Sequence, residues 1–429
     1  MKVFQVTGLI FCFVISSLAF GQGTVIHEQF YSESLERTQD VNVYVPEDYE
    51  PDSTRILYPV IYLLHGGGVN YTYYSEIVAA LDSLISIEIE PVIVVRPNGF
   101  YGPYSGMSWW SNSELNGQFE DYVVSDLVEF IESNYNASPE RDKRCIMGHS
   151  MGGYGAMMIA LKHTDIYCGV VSFSGVVHST YTVQTYYIPD MLNEHGGSGP
   201  FSPDAGGYST VIYSMAAAFS PNLDNPPYNL DLPVDDEGNI VDEVFDLWIH
   251  EDPAWLATQL DDEDSIAIYI DALDGEAFPI INRAFADTLD AYEIPYTMRV
   301  FPGRDHHRDL PQRYPASLTF LDSVMWASAE DKVSANPLEL LNGYKLHSVY
   351  PNPFNPEFTV TVELPESAEL LVHIFNINGR NIRTLVNGNY PAGTHHLTLN
   401  TGNLSSGIYF VQAEVQGKMN EIRKVILIR

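Results

Sequence analysis

The stretch that decides the fold is Cys145-Ile-Met-Gly-His-Ser-Met-Gly-Gly-Tyr-Gly-Ala-Met-Met-Ile-Ala-Leu-Lys-His163. Within it, Gly148-His149-Ser150-Met151-Gly152 follows an apolar run and precedes a helix-forming one. Strand, sharp turn and helix in that order are the context of a nucleophile elbow, where a strained turn holds a serine at the end of a sheet strand. A side chain at position 148 or 152 is expected to collide with the neighbouring strand and helix, so glycine is required at both. A helix start built of small residues is the bland reading of the same pentapeptide. Gly153 and Gly155, which continue the small face, favour the elbow.

Upstream, Tyr58-Pro-Val-Ile-Tyr-Leu-Leu-His-Gly-Gly-Gly68 ends an apolar strand in His-Gly-Gly-Gly. Glycines there let backbone N–H groups turn toward a bound ester oxygen. A donor from this loop, Gly67 with Gly68 as the alternative, would join the Met151 N–H in an oxyanion hole. Downstream, a base is expected beyond the last strand. Phe301-Pro-Gly-Arg-Asp-His-His-Arg308 offers His306 and His307, of which we take His306. A neutral imidazole takes a serine proton and returns it to a leaving alcohol. The loop Asp271-Ala-Leu-Asp-Gly-Glu276 carries three carboxylates. Asp271 reads as a structural residue at the strand end, which leaves Asp274 and Glu276 for the acid that orients the imidazole.

Around these motifs, residues 24–328 alternate short β-branched runs with amphipathic helical stretches, the pattern of an α/β domain with a mainly parallel sheet covered on both faces. Strands are expected at Tyr58–His65, Pro91–Pro97, Arg144–Gly148, Gly169–Ser174, Ser265–Ile270 and Tyr296–Phe301, with an antiparallel edge from Val25–Tyr31 and Gln39–Val45. A helix from about Gln118 places Phe119, Tyr122, Val123, Leu127, Phe130 and Ile131 on one face and Glu120, Asp121, Asp126 and Glu129 on the other. The insertion Val176–Asp264, rich in Tyr, Pro, Gly and Asp, reads as a cap over the site. Trp109 and Trp110, with Tyr181, Tyr186 and Tyr187, are candidate substrate-stacking aromatics. Packing between cap and body is the equal alternative. After the polar stretch 329–343 the pattern changes to short alternating strands divided by Asn-Gly, Pro-Ala-Gly and Ser-Ser-Gly turns, an all-β immunoglobulin-like sandwich over 344–429.

The 429 residues carry a formal charge of −35. Residues 344–429 hold seven Lys/Arg and six Asp/Glu, leaving 14 basic and 50 acidic residues in 1–343. A surface so acidic repels polyphosphates, so nucleic acid is not an expected partner. Lys2, an apolar run and small residues at Ala19 and Gly21 form a signal peptide over 1–21, with cleavage expected near Gly21–Gln22. An uncleaved anchor is the other reading, but the run is short and lacks a basic flank, and no other stretch is long and apolar enough to span a bilayer. Cys12 leaves with the signal. Cys145 and Cys168 remain as buried thiols on neighbouring strands, with a bridge between them as the alternative. The acidic clusters Asp235–Glu237 and Asp261–Asp264 lack the ligand spacing of a calcium loop, and no metal is expected.

These motifs carry a resemblance. Residues about 24–328 resemble the putative-esterase family, which includes feruloyl and acetylxylan esterases, S-formylglutathione hydrolase, enterochelin esterase and the mycolyltransferases. The matching stretches are YPVIYLLHGGG, FEDYVVSDLVEFIESNY, GHSMGGYGAMMIAL and the segment from IAIYIDALDGEAF through FPGRDHH. The resemblance implies an α/β-hydrolase fold, Ser150 as nucleophile, His306 as base, Gly67 and Met151 as oxyanion donors and no cofactor. Family members usually carry a glycine three residues before the catalytic Asp, and this chain has no such pair. Counting from the strand gives Glu276, and counting back from the helix at Asn282-Arg283 gives Asp274. Because the family acid is normally Asp, the resemblance favours Asp274 over Glu276.

The tail resembles the C-terminal sorting domain of type IX secretion, found in certain Gram-negative bacteria, through VYPNPFNPEFTVTVELPESAEL, IFNINGRNIRTLVNG, LSSGIYFVQAEV and RKVILIR. It implies secretion machinery as a partner and a secreted or outer-surface location. A carbohydrate-binding module is the alternative. The expectation is therefore a secreted serine esterase acting on polysaccharide-linked esters, feruloyl or acetyl. An acyltransferase of the same fold and a non-catalytic surface binding protein are its rivals.

Overall fold

The computed structural model describes residues 22–327 apart from 52–56, 86 and 262–263, and residues 345–427 apart from 351–353, 355, 365–366, 377–379, 391–392, 403 and 416–417. The expected signal peptide 1–21 and linker 329–343 lie outside the described residues. The chain divides into two compact units, Met1–Ala327 and Ser328–Arg429.

In the first unit eight strands form one sheet: β1 (Thr24–Ser32), β2 (Arg37–Val45), β3 (Val60–Leu64), β4 (Ile93–Pro97), β5 (Arg144–His149), β6 (Gly169–Phe173), β7 (Ala267–Leu273) and β8 (Tyr296–Phe301). Their spatial order is β1-β2-β4-β3-β5-β6-β7-β8. β1 and β2 are an antiparallel pair, β2 runs antiparallel to β4, and the ladders from β4 through β3 to β8 are parallel.

Every residue of β3, β4, β5 and β6 is buried. A strand covered on both faces needs this composition, because successive side chains point to opposite sides. Thus Val60, Tyr62 and Leu64 pack in one core with Tyr122, Leu127, Met157 and Phe285, while Ile61 and Leu63 pack in another with Ile77, Leu81, Leu318 and Leu321. The first core is covered by helices α2 (Leu127–Asn134), α3 (Met151–Lys162) and α6 (Phe278–Ala291), the second by α1 (Ile77–Ile85) and α7 (Tyr314–Met325).

Two details depart from the sequence reading. β7 continues three residues beyond the expected Ile270, pairing Leu273 with Phe301. This is possible because Asp271, inside the strand, lies 3.1 Å from Arg313 with both side chains fully buried. Glu120, read as an outer-face residue, is buried against the end of α3. There its carboxylate meets Lys162 Nζ at 3.1 Å and His163 Nε2 at 2.8 Å. The insertion 176–264, whose secondary structure the sequence reading left open, contains several helices, among them α4 (Gly207–Phe219) and α5 (Asp242–Ile249).

The second unit has seven strands: β9 (Lys345–Tyr350), β10 (Glu357–Leu364), β11 (Ala368–Asn376), β12 (Asn381–Tyr390), β13 (Gly393–Asn400), β14 (Gly407–Val415) and β15 (Met419–Leu427). They form two antiparallel sheets, β9-β10-β13 and β12-β11-β14-β15. Phe358, Val360, Val362 and Leu364 alternate inward from one sheet and meet Leu370, Val372, Val411, Ala413 and Val415 of the other.

Candidate active site

Ser150 sits between β5 and α3 at φ 57°, ψ −119°, a conformation that L-residues rarely hold. Its N–H donates to Phe173 O at 2.9 Å, which ties the turn to β6. The glycines around it answer to measurable crowding. A Cβ on Gly148 would stand 2.0 Å from Gly152 O, and one on Gly152 would stand 2.2 Å from Leu64 O, at the end of β3. Gly155 has a different task, since a Cβ there would meet the Trp110 side chain at 2.6 Å.

The His-Gly-Gly-Gly loop reaches the serine: a Cβ on Gly66 would lie 3.3 Å from Ser150 Cβ. Three bonds set the loop. Gly99 N donates to His65 Nε2 at 2.8 Å, so the ring proton is on Nδ1 and points to Gly66 O, also at 2.8 Å. Burial pushes the His65 pKa down to about 4, which keeps that neutral tautomer in place. Gly66 N is occupied by Tyr74 Oη at 3.2 Å. Among the described residues, neither Gly67 N nor Met151 N has a protein partner, and Met151 opens α3, where the first N–H groups lack helical acceptors. Gly67 is crowded on its other side by Met107, whose Sδ would stand 2.8 Å from an added Cβ.

Of the two histidines, His306 is the one brought to a carboxylate. Its Nδ1 stands 2.5 Å from Glu276 Oε1, and its ring packs on Phe278 at 5.1 Å and on His149 at 4.3 Å between centroids. His149 immediately precedes Ser150. With Nδ1–H donated to the carboxylate, Nε2 is the acceptor nitrogen left for a serine proton. His307 is exposed and lies edge-on to Tyr73.

Of the two candidate acids, the geometry brings Glu276, not the favoured Asp274, to His306. Asp274 is exposed, its N–H bonds Phe301 O at 2.8 Å and its Oδ1 accepts from Gly303 N at 3.0 Å, so it staples two loops together. Because β7 ends at Leu273, the turn carries position 276 to His306. Burial raises the Glu276 pKa, but the hydrogen bond and charge of His306, with the Ser174 hydroxyl and Leu273 N–H as further donors, outweigh it and hold the carboxylate below its ordinary range.

Trp109 and Trp110, expected as substrate-stacking candidates, are enclosed. They are 3% and 0% exposed, and each indole N–H is occupied, Trp109 by Ser214 Oγ at 2.8 Å and Trp110 by His65 O at 3.1 Å. Trp109 packs on Tyr154 and Phe219, joining α3 to the insertion helix α4, and Trp110 backs the His-Gly-Gly-Gly loop. Tyr181 and Tyr186 contact each other, while Tyr187 packs on Tyr208.

Several polar residues around the site were not singled out in the sequence. His149 is fully buried with Nδ1 2.7 Å from Tyr74 Oη, and burial together with His306 holds its pKa well below the usual value. Ser174 and Arg313 stand behind Glu276, with Ser174 Oγ 2.8 Å from Glu276 Oε2 and Arg313 Nη1 2.8 Å from Ser174 Oγ. Arg313 lies close to Asp271 but off the hydrogen-bond angle, and burial pushes Asp271 up to about 7 against the pull of Arg313. No local motif marks these residues, since the hydrogen bonds that join them to Tyr74, Glu276 and one another span 75 to 139 positions of chain. Cys145 and Cys168 are buried and form no disulfide, with sulfurs 3.5 Å apart. Among the described residues no group of three or more His, Cys, Asp or Glu is placed to hold a metal ion, and no helix is long and apolar enough to cross a membrane.

An eight-stranded, mainly parallel sheet with a serine elbow and a histidine–carboxylate pair beyond the last strands defines an α/β-hydrolase. Residues 32–318 match the family model described as "Putative esterase", and the chain belongs to that family. Residues 348–428 match the model of a secretion system C-terminal sorting domain. The chain is 31% identical over 151 residues to Esterase Rv1288 of Mycobacterium tuberculosis, covering 34% of this chain and 31% of that protein. It is 30% identical over 159 residues to an endo-1,4-beta-xylanase/feruloyl esterase of Xylanibacter ruminicola, covering 35% of this chain and 22% of that one. The chain thus spans less than a third of the length of either relative. Among solved structures it is similar to a ferulic acid esterase (TM-score 0.51, 19% identity, 71% of this chain and 99% of that one). It is also similar to the serine hydrolase FphF of Staphylococcus aureus (TM-score 0.50, 20% identity, 70% and 99%). At these identities the structures establish the shared fold.

Proposed function

We propose that this chain is a secreted serine carboxylic-ester hydrolase with Ser150 as nucleophile, His306 as base and Glu276 as the acid. One observation carries the reading: His306 Nδ1 is 2.5 Å from Glu276 Oε1 while the same ring lies against His149, beside the strained serine. In the first step the Ser150 hydroxyl proton passes to His306 Nε2 as Oγ bonds to the ester carbonyl carbon. The Gly67 and Met151 N–H groups stabilise the oxygen as it becomes negative. The C–O bond then breaks, and His306 gives its proton to the departing alcohol. Water repeats the sequence on the acyl-enzyme, releasing the acid and restoring Ser150.

Polysaccharide-linked feruloyl or acetyl esters are the substrate class we favour. The sorting-domain match supports a type IX export route, which brings such an enzyme to esters too large to import. The xylanase/feruloyl esterase relative supports the feruloyl arm of the proposal. The test is hydrolysis of 4-nitrophenyl acetate and of methyl ferulate by the full chain and by Ser150→Ala. We expect the variant to lose at least about 10³-fold in kcat. Wild-type turnover in Ser150→Ala would overturn the assignment, and turnover of neither ester by the folded native chain would favour a binding role.

A further inference from the structure

Behind Glu276 runs a chain of buried polar groups that the hydrolysis scheme leaves unused. Arg313, just before α7, is fully buried, and its Nη1 donates to Ser174 Oγ at 2.8 Å. A guanidinium only donates, so Ser174 must accept from it, and the single hydroxyl proton goes to Glu276 Oε2, 2.8 Å away. Glu276 Oε1 is thereby left to His306. Leu273 N closes the same Oε2 from the other side at 3.3 Å.

Ser174 itself is held in place. It has φ 43°, in the left-handed region, and its N–H donates to Asp271 O at 2.8 Å. Asn282 Nδ2 donates to that same oxygen at 2.9 Å. A serine with strained backbone, fully buried and fixed at both its N–H and its hydroxyl, persists only where surrounding contacts over-determine it.

Glutamate needs such a support more than aspartate does. Its extra methylene adds a rotatable bond, and a carboxylate free to swing would meet His306 Nδ1 only part of the time. A cationic donor also polarises the hydroxyl it binds, which strengthens the second bond in the row.

We propose that Ser174 and Arg313 are positioning residues that lock the Glu276 carboxylate onto His306, an inference that rests on the triad reading above. They touch neither substrate nor reacting atoms, and they act through Glu276. Asp271 and Asn282 anchor the far end of the row.

The test uses the full chain with 4-nitrophenyl acetate. Ser174→Ala and Ser174→Gly both remove the hydroxyl, and glycine also suits the positive φ, so folding is retained in at least one. Each is made in the native chain and in Glu276→Gln. In the native chain kcat is expected to fall about 10- to 100-fold with KM within about twofold. In the Glu276→Gln background the same substitutions should change kcat by less than about twofold, because the group they act through no longer works. An equal fall in both backgrounds marks a merely structural role and overturns the proposal. So do Ser174 variants with native kcat beside an impaired Glu276→Gln, which leave the triad standing. Full activity of Glu276→Gln overturns the triad acid and this brace together.

Discussion

Glu276 and Asp274 are two positions apart and serve different ends. The shorter side chain staples the β7 turn to the β8 loop through Gly303 N, and the longer one folds back to His306. Their substitutions should separate cleanly. Glu276→Gln keeps shape but removes the charge that stabilises an imidazolium, and we expect kcat to fall by about 10³- to 10⁴-fold. Asp274→Asn keeps an oxygen for Gly303 N and should leave kcat within about threefold. A steady-state assay of the two variants on one ester decides the matter, and the reverse pattern would return the acid to Asp274. The two histidines divide in the same way, by which ring meets a carboxylate.

At the scale of elements, the elbow is a packing problem solved by missing side chains. Gly152 lies where α3 passes the end of β3, and its Cβ position is 2.2 Å from a backbone oxygen that has no freedom to rotate away. Gly152→Ala must therefore push α3 and β3 apart, at a cost of about 1–3 kcal/mol or more. Because Met151 N and Ser150 sit on the displaced turn, kcat should fall at least about 100-fold. Gly196→Ala, in the insertion after β6, is the contrast. Gly196 has φ 74° with nothing within 4 Å, so the cost is the left-handed backbone alone, about 1–2 kcal/mol, with native turnover. Urea melts and ester turnover on the two variants check both statements, and equal activity in both would remove the steric account.

The elements also show what was legible. Parallel strands, the elbow and the helix from Phe119 could be read from apolar runs and period because burial on both faces dictates their composition. The end of β7 could not. A charged Asp271 reads as a loop residue until a fully buried Arg313, 42 positions later, is known to lie beside it. The lean to Asp274 has another source, the count back from the helix and the usual Asp of the family, whereas counting from the strand gives Glu276. The tryptophans misled for a related reason, since an aromatic pair in a Tyr- and Gly-rich loop looks exposed, and only the approach of α4 and Gly155 encloses them.

For the first unit as a whole, pH is a lever with a defined sign. His65 and His149 are buried and neutral, with His65 down near 4 and His149 well below the ordinary value, both chiefly through burial. An unfolded histidine takes up a proton near pH 6.5, so below that pH the unfolded state binds more protons and stability falls. Between pH 7 and pH 5 the His65 ring accounts for about 2 kcal/mol and His149 acts in the same direction, over a range in which exposed carboxylates stay ionised. Asp271, raised to about 7 by burial, takes up its proton in the folded chain over the same window and opposes the loss by an amount comparable to the His65 contribution. Relief of acidic self-repulsion, expected of a chain with formal charge −35, sets in mainly below that window. The two neutral rings outweigh the one raised carboxylate, so melting of the full chain should shift to lower temperature from pH 7 to pH 5, and a rising Tm would contradict the burial of these rings as neutral groups.

What the sequence determined by itself was local and repetitive. It comprised the order of strands and helices, the elbow at Ser150 with its glycines, the histidine pair after β8 and the alternating strands of the tail. All of these follow from short-range sterics and periodic burial. What only the tertiary structure decided was which side chains meet. Glu276 is paired with His306, Arg313 with Ser174, and Tyr74 with His149 and Gly66. Buried polar groups find partners wherever the packed sheet brings donor and acceptor within reach, and separation along the chain carries no trace of it.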